Sequence, residues 1–366
     1  MNIAIFTPNQ NPYSETFIQA HKRFLKDKVF YYYGVGDHIQ LEGHPPLIST
    51  GKRLWLKGEQ LLFKKAKNHI WTTAVYQSLK KHKIDVILIE YGTHAHRLMP
   101  LMNKIKRPFT VHYHGYDASV DDVIEKHDNY KEVFSKASRI FAVSTVMQER
   151  LLKIGCPEEK LVYNVYGPQP HFAEVQPKYS KQQFIAIGRF TDKKAPYLTL
   201  YAFKSVLEKH PEARLIMAGN GVLLNACKNI AKHIGIDSNV DFVGVITPEE
   251  YAQYLSESLA FVQHSITADN GDMEGTPLAV LEASSAGLAV ISTYHAGISD
   301  VIVHEKTGLL SEEQDAATMS SHMLRLLDDQ SYARDIGQAG KKHIEENYSL
   351  KRHIAVLQEQ LEAVSQ

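Results

Sequence analysis

The sequence predicts an α/β protein built from two Rossmann-like, parallel-sheet domains. Strand-like runs alternate with helix-like stretches from end to end. That rhythm breaks once, at Tyr166-Gly167-Pro168-Gln169-Pro170 and the polar stretch to Gln183. The chain's 366 residues exceed one typical core and suit two domains of ordinary size. We therefore expect domains at 1–167 and 168–346, with 347–366 as a separate C-terminal helix, roughly Leu350 to Val364.

In the first half, Asn2 to Phe6, Val29 to Tyr33, Asp85 to Ile89, Phe109 to His112 and Arg139 to Val143 read as strands. In the second half Phe184 to Ile187, Arg214 to Met217, Val240 to Val243, Leu259 to Val262 and Leu288 to Ile291 repeat the pattern. Such branched and aromatic runs suit buried parallel strands. Thr247-Pro248-Glu249-Glu250 reads as a capping box. Ligands of paired Rossmann-like domains are expected at the carboxyl ends of the strands, where the two domains face each other.

The composition, 44% hydrophobic and 22% charged, is that of a globular chain. No apolar run is long enough to span a bilayer, and Met1-Asn2-Ile3-Ala4 does not read as a secretory leader. Two cysteines, Cys156 and Cys227, cannot make a disulfide framework, so a cytoplasmic location is expected. Zero net charge hides an asymmetry. Residues 1–166 carry 24 Lys/Arg against 16 Asp/Glu, and residues 167–366 carry 17 against 25. Much of the excess lies in residues 51–83, where Lys52, Arg53, Lys57, Lys64, Lys65 and Lys67 are interleaved with Trp55, Leu56, Leu61, Leu62 and Phe63. A basic amphipathic helix of this kind fits the inner face of an anionic membrane, or else a solvated surface of its own domain. Nucleic acid is not an expected partner, because no binding motif accompanies the charge.

The densest chemistry lies in Met273-Glu274-Gly275-Thr276-Pro277-Leu278-Ala279-Val280-Leu281-Glu282. Thr276 is placed to cap a helix whose first turn begins at Pro277. Glu274 then sits at the helix mouth, and Glu282 lies about 7 Å further along the axis. The helix's free amides and positive end lie between them, a site for an anion. A nucleotide-sugar has the matching layout: sugar at Glu274, pyrophosphate at Gly275, Thr276, Pro277 and Leu278, ribose diol at Glu282. Gly188-Arg189-Phe190-Thr191-Asp192-Lys193-Lys194 also follows a strand. Gly188 allows close approach, while Arg189 and Lys194 reach two phosphates and neutralise a leaving diphosphate without a divalent cation. Gly219 and Gly221, in Gly219-Asn220-Gly221, leave room for a ligand, and backbone groups near Val245 suit a base.

In the first domain, Val111-His112-Tyr113-His114-Gly115-Tyr116-Asp117 ends a strand. Alternation is expected to point one of His112 and His114 at the functional edge, and Gly115 selects His114 as a hydrogen-bonding or proton-sharing group. His94 and His96 follow Tyr91-Gly92 at another strand end and are placed to touch an acceptor; Asn11 and Ser14, in the first strand–helix loop, are further acceptor-site candidates. No Cys/His/Asp cluster has metal-ligand spacing, so no bound metal and no cofactor are expected. The first loop, Thr7 to Ser14, lacks G-x-G-x-x-G, which argues against a dinucleotide dehydrogenase, and there is no P-loop.

With these motifs in order, the chain resembles the retaining glycosyltransferases of family 4, which have the GT-B fold. The resemblance is densest from Phe184 to Gly308. It rests on the E-x7-E pair Glu274 and Glu282, the Arg189/Lys194 pair, Gly219-Asn220-Gly221, Phe242-Val243-Gly244 and His114-Gly115. It implies that Glu274 contacts the transferred sugar, Glu282 the ribose, Arg189 and Lys194 the diphosphate, and His114 the donor sugar. Ser14-Glu15-Thr16-Phe17-Ile18, His114-Gly115-Tyr116-Asp117 and Gly271-Asp272-Met273-Glu274-Gly275 are similar to exopolysaccharide, capsule and colanic-acid enzymes of that family. The resemblance also implies that the C-terminal helix returns to the first domain. Two departures stand out: Asn9-Gln10-Asn11-Pro12 replaces the family's first-loop glycine pair, and Asn164-Val165-Tyr166-Gly167-Pro168 replaces its Asn-Gly-Val-Asp.

The expected activity is metal-independent hexosyl transfer, with retention, from a nucleoside diphosphate sugar, UDP-linked, to a hydroxyl of a glycan or lipid-linked acceptor in cell-surface polysaccharide synthesis. A sugar-nucleotide epimerase and a non-catalytic glycan-binding or scaffold subunit are the alternatives.

Overall fold

The structure, a computed structural model, describes residues 1–12 and 15–365. The chain divides into two compact units. The first comprises Met1–Val143, Met147–Asn164 and Ile354–Gln366, and the second Ser144–Val146 and Val165–His353.

The first unit holds a seven-stranded sheet of β1 (Asn2–Thr7), β2 (Lys28–Tyr33), β3 (Gln40–Leu41), β4 (Val86–Glu90), β5 (Phe109–His112), β6 (Arg139–Ala142) and β7 (Leu161–Tyr163). Its order is β3-β2-β1-β4-β5-β6-β7, parallel throughout except for β3, which runs antiparallel to β2. Ile3 to Phe6 and Val86 to Ile89 are fully buried. Continuous apolar runs of this kind form strands covered on both faces, which is why they sit at the centre of the sheet. The helices that matter below are α1 (Thr16–Phe24), α2 (Thr50–Leu62), α3 (His69–Lys81) and α4 (Gly92–Met102).

The second unit holds six strands, β8 (Gln183–Ile187), β9 (Arg214–Ala218), β10 (Val240–Gly244), β11 (Ala260–Val262), β12 (Ala289–Thr293) and β13 (Leu309–Ser311). All are parallel, in the order β10-β9-β8-β11-β12-β13. The strand order reverses between β8 and β11, as it does between β1 and β4 in the first unit. The loops leaving such a pair of strands diverge to opposite faces and open a crevice at the carboxyl edge.

Helices α5 (Pro196–Leu207), α6 (Pro248–Glu257), α7 (Leu278–Ser285) and α8 (Gln330–Asn347) cover this sheet. The capping box at the start of α6 is present: Thr247 accepts from the Glu250 amide, and the Glu250 side chain accepts from the Thr247 amide. Helix α8 approaches closely because Gly337 has no side chain; a Cβ there would lie 2.3 Å from the Gly287 carbonyl oxygen. The last helix, α9 (Leu350–Ser365), starts in the second unit and runs into the first. There Gln358 donates to Asp27 at 2.6 Å, and Arg139 donates to Gln360 at 3.0 Å.

The predicted α/β class with two parallel-sheet, Rossmann-like units is what the chain forms. The sequence reading missed β3, β7 and β13, which are two or three residues long and lie toward or at sheet edges. No helix among the described residues is long and apolar enough to cross a membrane.

Candidate functional site

The richest constellation lies in the second unit, on the two loops leaving the β8/β11 switch point. The chain leaves β8 through Gly188 to Ala195 and leaves β11 through Gln263 to Pro277. Lys194 Nζ stands 3.1 Å from Glu274 Oε1 and donates to Gln263 Oε1 at 3.0 Å. Burial by itself would raise the Glu274 carboxyl; Lys194 and Lys193 outweigh it and hold the group at about 2. Burial pulls Lys194 below the usual lysine range, against the opposing pull of Glu274.

A second set of contacts fixes the loop that carries Glu274. The Glu274 amide donates to His295 Nε2 at 3.1 Å, which requires that nitrogen to be unprotonated. His295 then carries its proton on Nδ1 and donates it to Glu313 Oε1 at 2.5 Å, and Glu313 accepts from the Thr267 amide at 2.8 Å. Lys193, buried beside Lys194, pairs with Asp272 at 2.9 Å and donates to the Met273 carbonyl at 3.0 Å. Gly297 donates its amide to the Gly275 carbonyl at 2.9 Å, and a Cβ at Gly297 would fall 2.1 Å from Thr276 Oγ1. Sequence reading missed Lys193, His295, Gly297 and Glu313. Only the doubled lysine at 193–194 was a visible signal, because the other three come from strands and loops further along.

The helix after Glu274 starts later than expected. Helix α7 begins at Leu278, with Pro277 in the cap position and no side-chain cap hydrogen bond. Thr276 therefore does not cap it; the extended Pro277 (φ −65°, ψ 120°) sits between them and offers no side-chain acceptor. Among the described residues, the amides of Leu278 and Ala279 have no protein acceptor. Glu282, half-buried one turn and more along α7, has no hydrogen-bond or ion-pair partner among the described residues, and burial raises its carboxyl to about 7. Gly188, Arg189, Lys194, Gln263 and His264 line an adjoining pocket. Arg189 is exposed, and its charge lies close enough to Lys194 to disfavour that lysine's proton.

Gly219 and Gly221 have a structural task. Their φ values are 130° and 155°, and added Cβ atoms would lie 1.9 Å from the Gly188 carbonyl oxygen and 2.4 Å from that of Phe190. Backbone packs on backbone here, with Phe190 donating to Asn220 at 3.0 Å, so the glycines shape the Gly188–Phe190 loop. Gly244 donates no side chain either, and its carbonyl accepts from Gly219 at 2.6 Å. Val245, just beyond, is exposed.

The first unit gathers polar groups at its own switch point. The Glu90 carboxylate, fully buried at the end of β4, meets His21 Nδ1 at 2.8 Å and His114 Nε2 at 2.8 Å. Burial pushes Glu90 up, with His114 pulling it back, and burial lowers His21 to about 3, so His21 is neutral. Asp117 fixes the turn that carries His114 by accepting the amides of Gly92, His114 and Gly115 at 2.8 to 3.0 Å.

The expectation that only one of His112 and His114 faces this edge is corrected. Residues two apart share a strand face, and the two rings lie 4.6 Å apart, both beside Glu90. His94 on α4 is also buried, its ring nitrogens have no partner among the described residues, and burial lowers its basicity to about 3. Asn11 is exposed and donates to Glu42 at 3.1 Å, while Ser14 lies outside the described residues.

One group among the described residues has ligand atoms close enough for a metal: His21, Glu90 and His112, within 4.8 Å of one another. Spacing along the chain did not show it, because these residues come from α1, β4 and β5. Within it His21 Nδ1 meets Glu90 at 2.8 Å, a hydrogen-bond distance, and His112 Nδ1 lies 3.8 Å from Glu90.

The comparisons with known proteins bear on the fold and on the family of the second half of the chain. Residues 169–343 match the family model of the glycosyl transferases group 1. The chain is 28% identical over 287 residues to the amylovoran biosynthesis glycosyltransferase AmsK of Erwinia amylovora, covering 76% of this chain and 70% of that protein. It is 25% identical to the putative colanic acid biosynthesis glycosyltransferase WcaL of Escherichia coli, over 70% of this chain and 65% of that one. The match thus spans about two thirds of the length of these relatives. Among solved structures, Anabaena HepE in complex with UDP superposes with a TM-score of 0.77 at 14% identity, covering 99% of this chain and 100% of that one. Sucrose-phosphate synthase from Thermosynechococcus elongatus superposes with a TM-score of 0.76 at 18% identity, covering 99% of both. The chain has the GT-B fold of these structures, and its residues 169–343 match the group 1 glycosyl transferases.

Proposed function

We propose that the chain transfers a hexosyl group, with retention and without a metal, from a nucleoside diphosphate sugar to a hydroxyl of a glycan or lipid-linked acceptor in cell-surface polysaccharide synthesis. The observation that carries this reading is the switch-point site. Lys194 pairs with the ionised Glu274, Arg189 lies near Lys194, and Glu282, whose carboxylate has no partner among the described residues, follows on α7. In this reading the diphosphate lies against Lys194, Arg189 and the free amides at the start of α7, which stabilise the charge that develops as the glycosidic bond breaks. The departing oxygen takes the proton of the acceptor hydroxyl, which attacks from the same face. Glu274, held ionised, accepts from hydroxyls of the transferred sugar, and Glu282 accepts from the ribose diol. His114 hydrogen-bonds the sugar.

A UDP-linked donor is the first choice, because HepE, of the same fold, was solved with UDP-glucose as well as UDP. A GDP-linked donor is the second reading. A Mycobacterium tuberculosis relative, 26% identical over 176 residues, is described as a GDP-mannose-dependent mannosyltransferase. The relatives' exopolysaccharide roles support the acceptor class. The reading also places the enzyme at the cytoplasmic face of a membrane, with residues 51–83 toward an anionic surface.

The test is to incubate the protein with UDP- and GDP-hexoses and glycan or lipid-linked acceptors in the presence of EDTA, and to follow the anomeric signals by NMR. Product whose anomeric configuration matches the donor supports the proposal. An inverted product, an epimerised donor without transfer, or activity abolished by EDTA would overturn it.

A further inference from the structure

The first unit carries a surface that the transfer chemistry does not use. Helix α2 buries a single residue, Leu56, against its own unit. Leu54, Trp55, Leu61, Leu62 and the helix-ending Phe63 are instead 65% to 76% exposed. At about 100° per residue, Leu54, Trp55, Gly58, Leu61 and Leu62 fall within an arc of about 120°, and Leu56 lies about 160° from its centre. The apolar stripe of α2 thus points away from the core that an amphipathic helix normally covers. Soluble chains rarely expose so many large apolar side chains together.

The surroundings say what covers it. Residues 51–67 hold six Lys/Arg against one acidic residue, Glu59, which pairs with Lys65. Lys57, Lys64 and Lys67 are exposed and form no ion pair among the described residues. Arg53, paired with Asp37 at 3.0 Å, and Lys52, bonded to Gln77, tie the base of the helix to the unit. An apolar stripe with aromatic ends and a cationic rim matches the two layers of an anionic bilayer surface: acyl chains for the leucines, the interfacial belt for Trp55 and Phe63, and headgroup phosphates for the lysines.

We infer that α2 inserts its Leu54/Trp55/Leu61/Leu62 edge into the interface of an anionic membrane and holds the first unit against it. This deepens, and rests on, the reading of an acceptor at the membrane, by assigning the contact to one helix edge and to insertion as well as charge.

The full-length protein is mixed with sucrose-loaded vesicles of phosphatidylcholine with and without 30% phosphatidylglycerol, and sedimented in low salt and in 0.5 M salt. The expected result is co-sedimentation with the anionic vesicles that falls with salt. In a Trp71→Phe background, a blue shift of Trp55 emission should accompany it. Leu61→Glu/Leu62→Glu should weaken binding by at least about tenfold. Because both residues are exposed, the melting temperature and the UDP-induced stabilisation of this variant should stay as in the parent. Failure to bind anionic vesicles, or equal binding by the double variant, would overturn the inference. So would a lipid-free dimer that the double variant abolishes, which would give the face to a second copy. The UDP-induced stabilisation reads the donor site independently, so loss of vesicle binding with that stabilisation intact counts against the membrane contact alone.

Discussion

Glu282 makes a test in which function and stability pull in opposite directions. Its carboxyl is raised from 4.5 to about 7 by burial, with no partner among the described residues to offset the cost. A group whose folded value is raised above its unfolded one costs no stability while both states are protonated, below about pH 4. The cost grows as pH rises through the window from 4.5 to 7 and is complete above it. The displacement corresponds to about 3 kcal/mol at the upper limit. The side chain is half-buried, so solvent takes part of this and about 1–2 kcal/mol is expected. Glu282→Gln keeps the shape of the protonated acid and removes the charge. At pH 8 the variant should therefore unfold about 2–8 °C above the parent, and at pH 4 the two should coincide. Thermal and urea unfolding from pH 4 to 8 would read the difference curve, in which other titrating groups cancel. The same variant should bind a nucleotide-sugar more weakly, by about tenfold or more, because a charged acceptor for the ribose diol is gone. A gain in stability that does not vary with pH, or a loss at pH 8, would refute the reasoning.

Lys194→Met leaves Glu274 buried without its nearest cation and should destabilise the second unit by about 3 kcal/mol at pH 7. Glu274 is depressed to about 2, so its contribution is present above about 4.5 and is lost as pH falls through 2. The gap between parent and variant should accordingly close on acidification, which urea titrations at several pH values would show. Gly219→Ala should cost several kcal/mol, because the Cβ would meet the Gly188 carbonyl oxygen at 1.9 Å. Gly235→Ala, at φ 73° with open space around it, should cost only about 1 kcal/mol, and melting curves of the pair separate steric clash from backbone strain. Glu90→Ala removes the acceptor that orients His114 Nε2, and should lower kcat by about 10–100-fold while UDP affinity, measured by calorimetry, is unchanged. Unchanged turnover would remove Glu90 from any positioning role.

Much of the architecture could be read from the chain because parallel strands are written as continuous apolar runs. Ile3 to Phe6, Val86 to Ile89 and Leu259 to Val262 declare themselves that way. Leu161–Tyr163 and Leu309–Ser311 do not, since three residues show no periodicity and pairing alone makes them strands. In the site, Lys194, Glu274 and Glu282 were visible because charged groups stand among apolar ones near strand ends. His295 and Glu313 were not, since their roles arise from a proton position and a backbone amide on another loop. The pairing of Glu90 with His21 and His114 is likewise created by sheet register, which sets β4 beside β5 with Glu90 opposite His112. The assignment of Thr276 as a helix cap failed because local spacing cannot reveal an extended proline between the threonine and the helix.

The most direct test of a metal-free diphosphate site at the β8/β11 switch point is thermal unfolding of the parent, Lys194→Met and Glu282→Gln proteins with UDP, GDP and their hexose conjugates, in EDTA. The account predicts that one nucleotide family stabilises the parent in EDTA, that Lys194→Met loses this for the free diphosphate, and that Glu282→Gln retains only part of it. No stabilisation of the parent by any of them, or equal stabilisation of all three proteins, would contradict it.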